Sequence, residues 1–179
     1  RILNRMNRTY TISEYLNLVD TIRRYNLDTS ISTDIIVGFP GETEEEFEET
    51  LQVMNHVIFD RAFMFKYSSR PGTKAAEYSD QINEEIKQNR LERLINLQQA
   101  HTLKANQRHI GKVLKVLVEN ESKKSTKQWV GRTEGNMGVI FNKGNEKIKD
   151  IVDILIQDAK GVSLFGNQVL EREMIHEIN

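Results

Sequence analysis

Three groups of residues in this chain have the types and spacing to do chemistry. The first is the run Val37-Gly38-Phe39-Pro40-Gly41-Glu42-Thr43. A glycine turn between a β-branched run and a helix start is the local form of a phosphate cradle, where free amides bind an anion. Charge opposes that use here. Glu42, Glu44, Glu45, Glu46, Glu48 and Glu49 crowd the helix start, where carboxylates suit the helix dipole but repel phosphate. Nor does the Gly-Lys-Ser/Thr of a Walker loop follow. A well-capped strand-to-helix turn accounts for most of the composition. Its position at the carboxyl end of a parallel strand is nevertheless where such folds bind ligands.

The second group is polar residues inside apolar strands. Alternation places Ser32, Asp34, Ile36 and Gly38 on one face of Ser30–Gly38 and Ile31, Thr33, Ile35 and Val37 on the other. A carboxylate in a buried strand must be paired or hydrogen-bonded. Either Asp34 lines a polar lumen with Ser32 and Gly38, or it braces backbone amides or an arginine. In Phe63-Met64-Phe65-Lys66-Tyr67 the aromatics share one face, which reads as core. Lys66, opposite them, calls for an acidic partner such as Asp34 or a ligand carboxylate. Arg70, in the following loop, is either an anion or RNA contact or an ordinary solvated arginine.

The third group lies beyond residue 110, where Lys112, Lys115, Lys123, Lys124, Lys127 and Arg132 surround Trp129. Basic residues beside an aromatic on a small barrel can neutralise phosphates and stack bases. The competing reading is a solvated loop, Ser122 to Gln128, next to a core tryptophan. His56, His101, His109 and His176 show no metal spacing, and no nucleophile–base constellation is present.

The elements that must position these groups follow from local patterns. Thr11-Ile12-Ser13-Glu14 and Thr43-Glu44-Glu45-Glu46 are capping boxes. They predict a helix ending near Asn26 and a second carrying Phe47, Leu51, Met54 and Val57. Ser30–Gly38 predicts a strand buried on both faces, Arg61–Tyr67 another, and Glu84–Arg108 a long helix. This alternation implies a parallel sheet with crossover helices, but two strands leave such a unit incomplete. From Gly111 onward about five short strands predict a small all-β barrel of the OB type. The boundary is expected at about 109–111, giving units 1–110 and 111–179.

Composition narrows the classes. The chain has 179 residues, 25 Lys+Arg against 26 Asp+Glu, and no cysteine. A near-neutral balance excludes an acidic tail or a uniformly basic coat. Basic charge is local: residues 111–150 hold nine Lys/Arg and five Asp/Glu, a net of +4. Without cysteine there is no disulfide, thiolate metal site or iron–sulfur ligation within these residues, which fits a reducing, cytoplasmic setting. No apolar run approaches the roughly 20 residues of a membrane helix. A chain opening on Arg1 in mid-pattern reads as a piece of something longer.

The joint run of motifs resembles the radical-SAM methylthiotransferase family. The resemblance rests on Met6-Asn7-Arg8-Thr9-Tyr10-Thr11, Thr33–Thr43 and Tyr67-Ser68-Ser69-Arg70-Pro71-Gly72-Thr73. It continues with Gly131-Arg132-Thr133, Asn136 and Val139-Ile140-Phe141. It implies the C-terminal part of a radical-SAM partial (β/α) barrel followed by a TRAM module. The branch most resembled adds a methylthio group to C2 of N6-isopentenyladenosine in tRNA, next to the anticodon. The alternatives are the ribosomal-protein branch, which modifies an aspartate, and a non-catalytic RNA- or protein-binding module. The resemblance further implies S-adenosylmethionine and two [4Fe–4S] clusters in the parent protein, with both cysteine sets upstream of this chain. It places Asp34, Val37, Gly38, Phe39, Tyr67 and Ser68 by the cofactor. Arg5, Arg8 and Arg70, with Lys112, Lys115, Lys123, Lys124, Lys127, Trp129 and Arg132, would meet the anticodon stem-loop. The chain alone is expected to be catalytically inert and, with strand edges exposed, to self-associate.

Overall fold

A computed structural model describes residues 1–27 and 29–169. The chain divides into two compact units, Arg1–His101 and Thr102 onward. In the first, a short helix α1 (Ile2–Arg5) precedes α2 (Ile12–Tyr25), β1 (Ser32–Val37), α3 (Glu44–Val57) and β2 (Arg61–Lys66). A 3-10 turn at Lys74–Glu77 leads to α4 (Glu84–Gln107). Both capping boxes form. Glu14 N donates to Thr11 Oγ1 (3.3 Å) and Thr11 N to Glu14 Oε2 (2.7 Å). Thr43 and Glu46 repeat the exchange at the start of α3, so each of these helix starts has two of its free amides satisfied.

β1 and β2 pair in parallel, with Asp34 opposite Phe63 and Val37 opposite Lys66. Helix side chains pack on one face of this two-stranded sheet. Val19 from α2, Phe47, Met54 and Val57 from α3, and Leu94 from α4 form a buried cluster with Val37 and Phe59. The other face is bare, which corrects two expectations. β1 is buried on one side only, with Ser32, Asp34 and Ile36 exposed. Phe63 and Phe65 are not core; they are 55% and 53% exposed. Alternation correctly groups the aromatics, but Met64 is the strand residue turned into the helix-covered core.

In the second unit β3 (Val113–Ser122), β4 (Ser125–Thr133), β5 (Gly138–Asn142), β6 (Ile151–Lys160) and β7 (Ser163–Gln168) close into a barrel. The strand order is β3-β4-β5-β7-β6, antiparallel except for the β5–β7 pair. Alternate residues point inward and make a core of Val116, Val118, Val139, Phe141, Val152, Ile154, Ile156, Ala159 and Leu164. The last turn of α4 belongs with this unit, since Leu103 packs on the same core. Ser122 to Gln128 is not a loop. β3 and β4 run on to a tight hairpin whose tip is Lys123-Lys124. Two glycines permit close strand contact: a Cβ on Gly131 would lie 2.5 Å from Leu117 O, and one on Gly166 2.3 Å from Leu155 O. Residues 170–179 of the expected module lie outside the described residues. Among the described residues no helix is long and apolar enough to cross a membrane.

A candidate cofactor edge and a candidate nucleic-acid face

The chain leaves β1 through Gly38 (φ +71°) and Gly41 (φ +78°), two left-handed positions that suit glycine. The Gly38 amide donates to Glu42 Oε2 at 2.7 Å. That same oxygen receives Arg90 Nη1 from α4 at 2.8 Å, and Nη1 also reaches the Glu42 carbonyl at 3.1 Å. Glu42 and Arg90 are only 5% and 4% exposed. Burial pushes the Glu42 carboxyl above the usual range, while the Gly38 amide and Arg90 pull it back. The phosphate-cradle alternative is thereby excluded: an internal carboxylate already occupies the glycine amide.

Around this turn the expected cofactor residues take different positions. The Val37 side chain is in the core and its carbonyl accepts the Tyr67 amide at 2.8 Å. Phe39 is buried edge-on to Tyr67, ring centroids 5.1 Å apart, and near Tyr78 at 6.4 Å. The Tyr67 hydroxyl is buried without a hydrogen-bond partner among the described residues. Ser68 is exposed. Asp34 is exposed on the open face, and its expected pairing with Lys66 does not occur. Lys66 points to the helix side of the sheet and holds Glu84 at 2.5 Å, because residues 34 and 66 lie on opposite faces.

Arg5, expected to face substrate, instead donates from Nη2 to both carboxylate oxygens of Asp80, at 2.8 and 2.9 Å, and lies 4.4 Å over the Tyr78 ring. Because the Gly41 amide donates to the Asp80 carbonyl (2.8 Å), Arg5 helps to hold the same turn. Arg8 and Arg70 are exposed. Sequence reasoning missed Arg90, Lys87, Tyr78 and Asp80. A signal for the first existed: Arg90, Leu94 and Gln98 recur at four-residue spacing on the buried stripe of α4, where an arginine must have a partner.

On the barrel, Lys112, Lys123, Lys124 and Lys127 are exposed. Lys115 is exposed and paired with Asp153 at 3.3 Å. Arg132 is held by Glu119 (3.2 Å) and by Asn136 Oδ1 (2.8 Å). Trp129 is not an open stacking platform. It packs against the core, with Nε1 buried and unpartnered among the described residues, and Lys143 sits 4.2 Å from its ring centre. Lys143 is in turn ion-paired with Glu121. Of the basic residues named above, Lys123, Lys124 and Lys127 are exposed together at and beside the hairpin tip.

Comparison with known proteins agrees with this division. Residues 1–54 match the radical SAM superfamily and residues 107–169 the TRAM domain. Several curated relatives bear the name tRNA-2-methylthio-N(6)-dimethylallyladenosine synthase. The one from Christiangramia forsetii is 44% identical over 170 residues, 94% of this chain and 35% of the relative. That from Syntrophomonas wolfei is 48% identical over 166 residues, 93% of this chain and 37% of the relative. That from Methylacidiphilum infernorum is 40% identical over 186 residues, all of this chain and 40% of the relative. The chain therefore spans well under half the length of these relatives. With a radical SAM segment followed by a TRAM barrel, and with such relatives aligned across both, the chain belongs to the radical-SAM methylthiotransferase family.

Proposed function

We propose that this chain is the C-terminal part of a cytoplasmic enzyme that methylthiolates C2 of N6-isopentenyladenosine in tRNA, next to the anticodon. The observation that carries the reading is the pairing of two unlike surfaces in one chain. One is a parallel sheet with a bare face and a glycine turn at its carboxyl edge; the other is a closed barrel with an exposed lysine hairpin. In the parent, S-adenosylmethionine and two [4Fe–4S] clusters supply the radical chemistry, and the protein binds, orients and excludes water. One feature of the edge suits a polar ligand such as an adenosine: the Tyr67 hydroxyl, beside the buried Phe39 ring, is a buried donor with no hydrogen-bond partner among the described residues. The residues present do not fit the clusters, since the chain contains no cysteine. Those ligands belong to the parent's other residues, and this chain alone is inert. The bare apolar face makes it self-associate.

The test is anticodon stem-loop binding by this chain as salt is raised. Affinity should fall linearly on a log–log scale. Replacing Lys123, Lys124 and Lys127 by Ala should flatten the slope by about 0.7–0.9 for each phosphate no longer neutralised. Affinity indifferent to salt and to these substitutions would remove the RNA reading. Reductive cleavage of S-adenosylmethionine by this chain, given iron and reductant, would overturn its inertness.

A further inference from the structure

Residues 55–106 fall between the radical SAM and TRAM matches, yet α4, which occupies most of the second half of this interval, reaches directly to the turn after β1. Two of its residues do so. Arg90 supplies the buried cation to Glu42, whose carboxylate holds the Gly38 amide. Lys87, also buried, runs its stem beneath Gly38 so closely that a Cβ there would lie 2.4 Å from Lys87 Cγ. The Lys87 ammonium ends 5.6 Å from the Tyr67 ring centre and 3.7 Å from Glu84 Oε2. Arg90 is itself oriented: its Nε and Nη2 both donate to Glu44 Oε2 at 3.2 Å. Its guanidinium therefore cannot rotate without breaking four hydrogen bonds.

We propose that Arg90, acting through Glu42, and Lys87, acting through Gly38, are positioning residues that set the shape of the cofactor-facing turn. Neither touches the ligand. Two left-handed glycines make the Gly38–Gly41 turn intrinsically permissive, so contacts from outside the turn help to fix its conformation. The buried cation that does so comes from α4, 48 residues beyond Glu42 in the chain. A guanidinium fork fixes orientation where an ammonium fixes only charge. This role rests on the reading above that the edge faces S-adenosylmethionine.

The experiment has two arms. In this chain, hydrogen exchange of the Gly38 amide is followed by NMR, with the Leu94 amide as an internal reference for global opening. Arg90→Met should accelerate Gly38 exchange about tenfold or more relative to Leu94, because local opening then exposes an amide whose acceptor has been deprived of its partner. Glu42→Gln, which keeps the side-chain shape, should do the same should Arg90→Met fail to fold. In the full-length enzyme, S-adenosylhomocysteine affinity should weaken with Arg90→Met and recover in part with Arg90→Lys, while stem-loop affinity holds. Unchanged Gly38 exchange in both variants overturns the positioning role itself. Faster exchange with undiminished cofactor affinity instead shows that the turn is locked but does not serve the cofactor, which overturns the underlying reading.

Discussion

Gly131, in the Gly131-Arg132-Thr133 run, provides a test of how the barrel is built. It needs no left-handed backbone; what it needs is the absence of a side chain. In β4 it sits opposite Val118, and a Cβ would meet Leu117 O at 2.5 Å and Val116 Cγ1 at 2.5 Å. The oxygen is part of the neighbouring strand and cannot rotate aside, so Gly131→Ala must push β3 and β4 apart. Overpacking of this kind costs about 1–3 kcal/mol, against a gain of roughly 0.5–1 kcal/mol from restricting the unfolded chain. A net loss near 1–2 kcal/mol lowers the midpoint of a domain this small by roughly 4–16 °C. Gly138, one strand over, is the control: a Cβ there meets nothing within 4 Å, and Gly138→Ala should be neutral or slightly stabilising. Trp129, the single tryptophan, lies two residues from Gly131 and reports barrel unfolding by fluorescence. If the two alanine variants melt within about 2 °C of each other, the steric argument is wrong.

Two further outcomes follow from the first unit. Because burial raises the Glu42 carboxyl above its unfolded value, the folded state holds its proton more tightly. Stability should then decline as pH rises from the ordinary glutamate range through the raised value, and Glu42→Gln should abolish that slope in urea midpoints. The slope is opposite in sign to that of Glu44 and Glu46, whose arginine contacts lower their values and whose contribution disappears on acidification. Phe63→Ser with Phe65→Ser should reduce the mass seen by light scattering while changing stability by no more than about 0.5 kcal/mol, since both rings are exposed; an unaltered mass would refute self-association through that face.

What could be read from the sequence was what is local. Both capping boxes span four residues, and each forms. The five strands of the barrel follow from alternation and turn residues, although β3, β4 and β6 extend further than their apolar runs suggest. What could not be read was which face of β1 and β2 is covered. Period-2 spacing groups Phe63 with Phe65 and Met64 with Lys66, but only the helices decide which group becomes core. The parallel β5–β7 pairing was equally invisible, since it joins strands separated by the whole of β6. Partner choice failed for the same reason. Lys66 calls for a carboxylate, and nothing in the chain distinguishes Glu84 from Asp34 until α4 is laid along the strand.

The 48-residue separation of Arg90 from Glu42 also constrains the order of events during synthesis. β1, the glycine turn and α3 are translated first, with Glu42 in place but its counter-charge not yet made. At about 5–20 residues per second, roughly 2–10 s pass before Arg90 is added. Throughout that interval the turn carries a carboxylate that water can still solvate and that no arginine from α4 yet holds. The buried Gly38–Glu42–Arg90 arrangement is therefore completed only when α4 packs against the turn and excludes water from Glu42. A nascent chain stalled in this window would have α2 and α3 capped, β1 and β2 available and Glu42 still without its counter-charge.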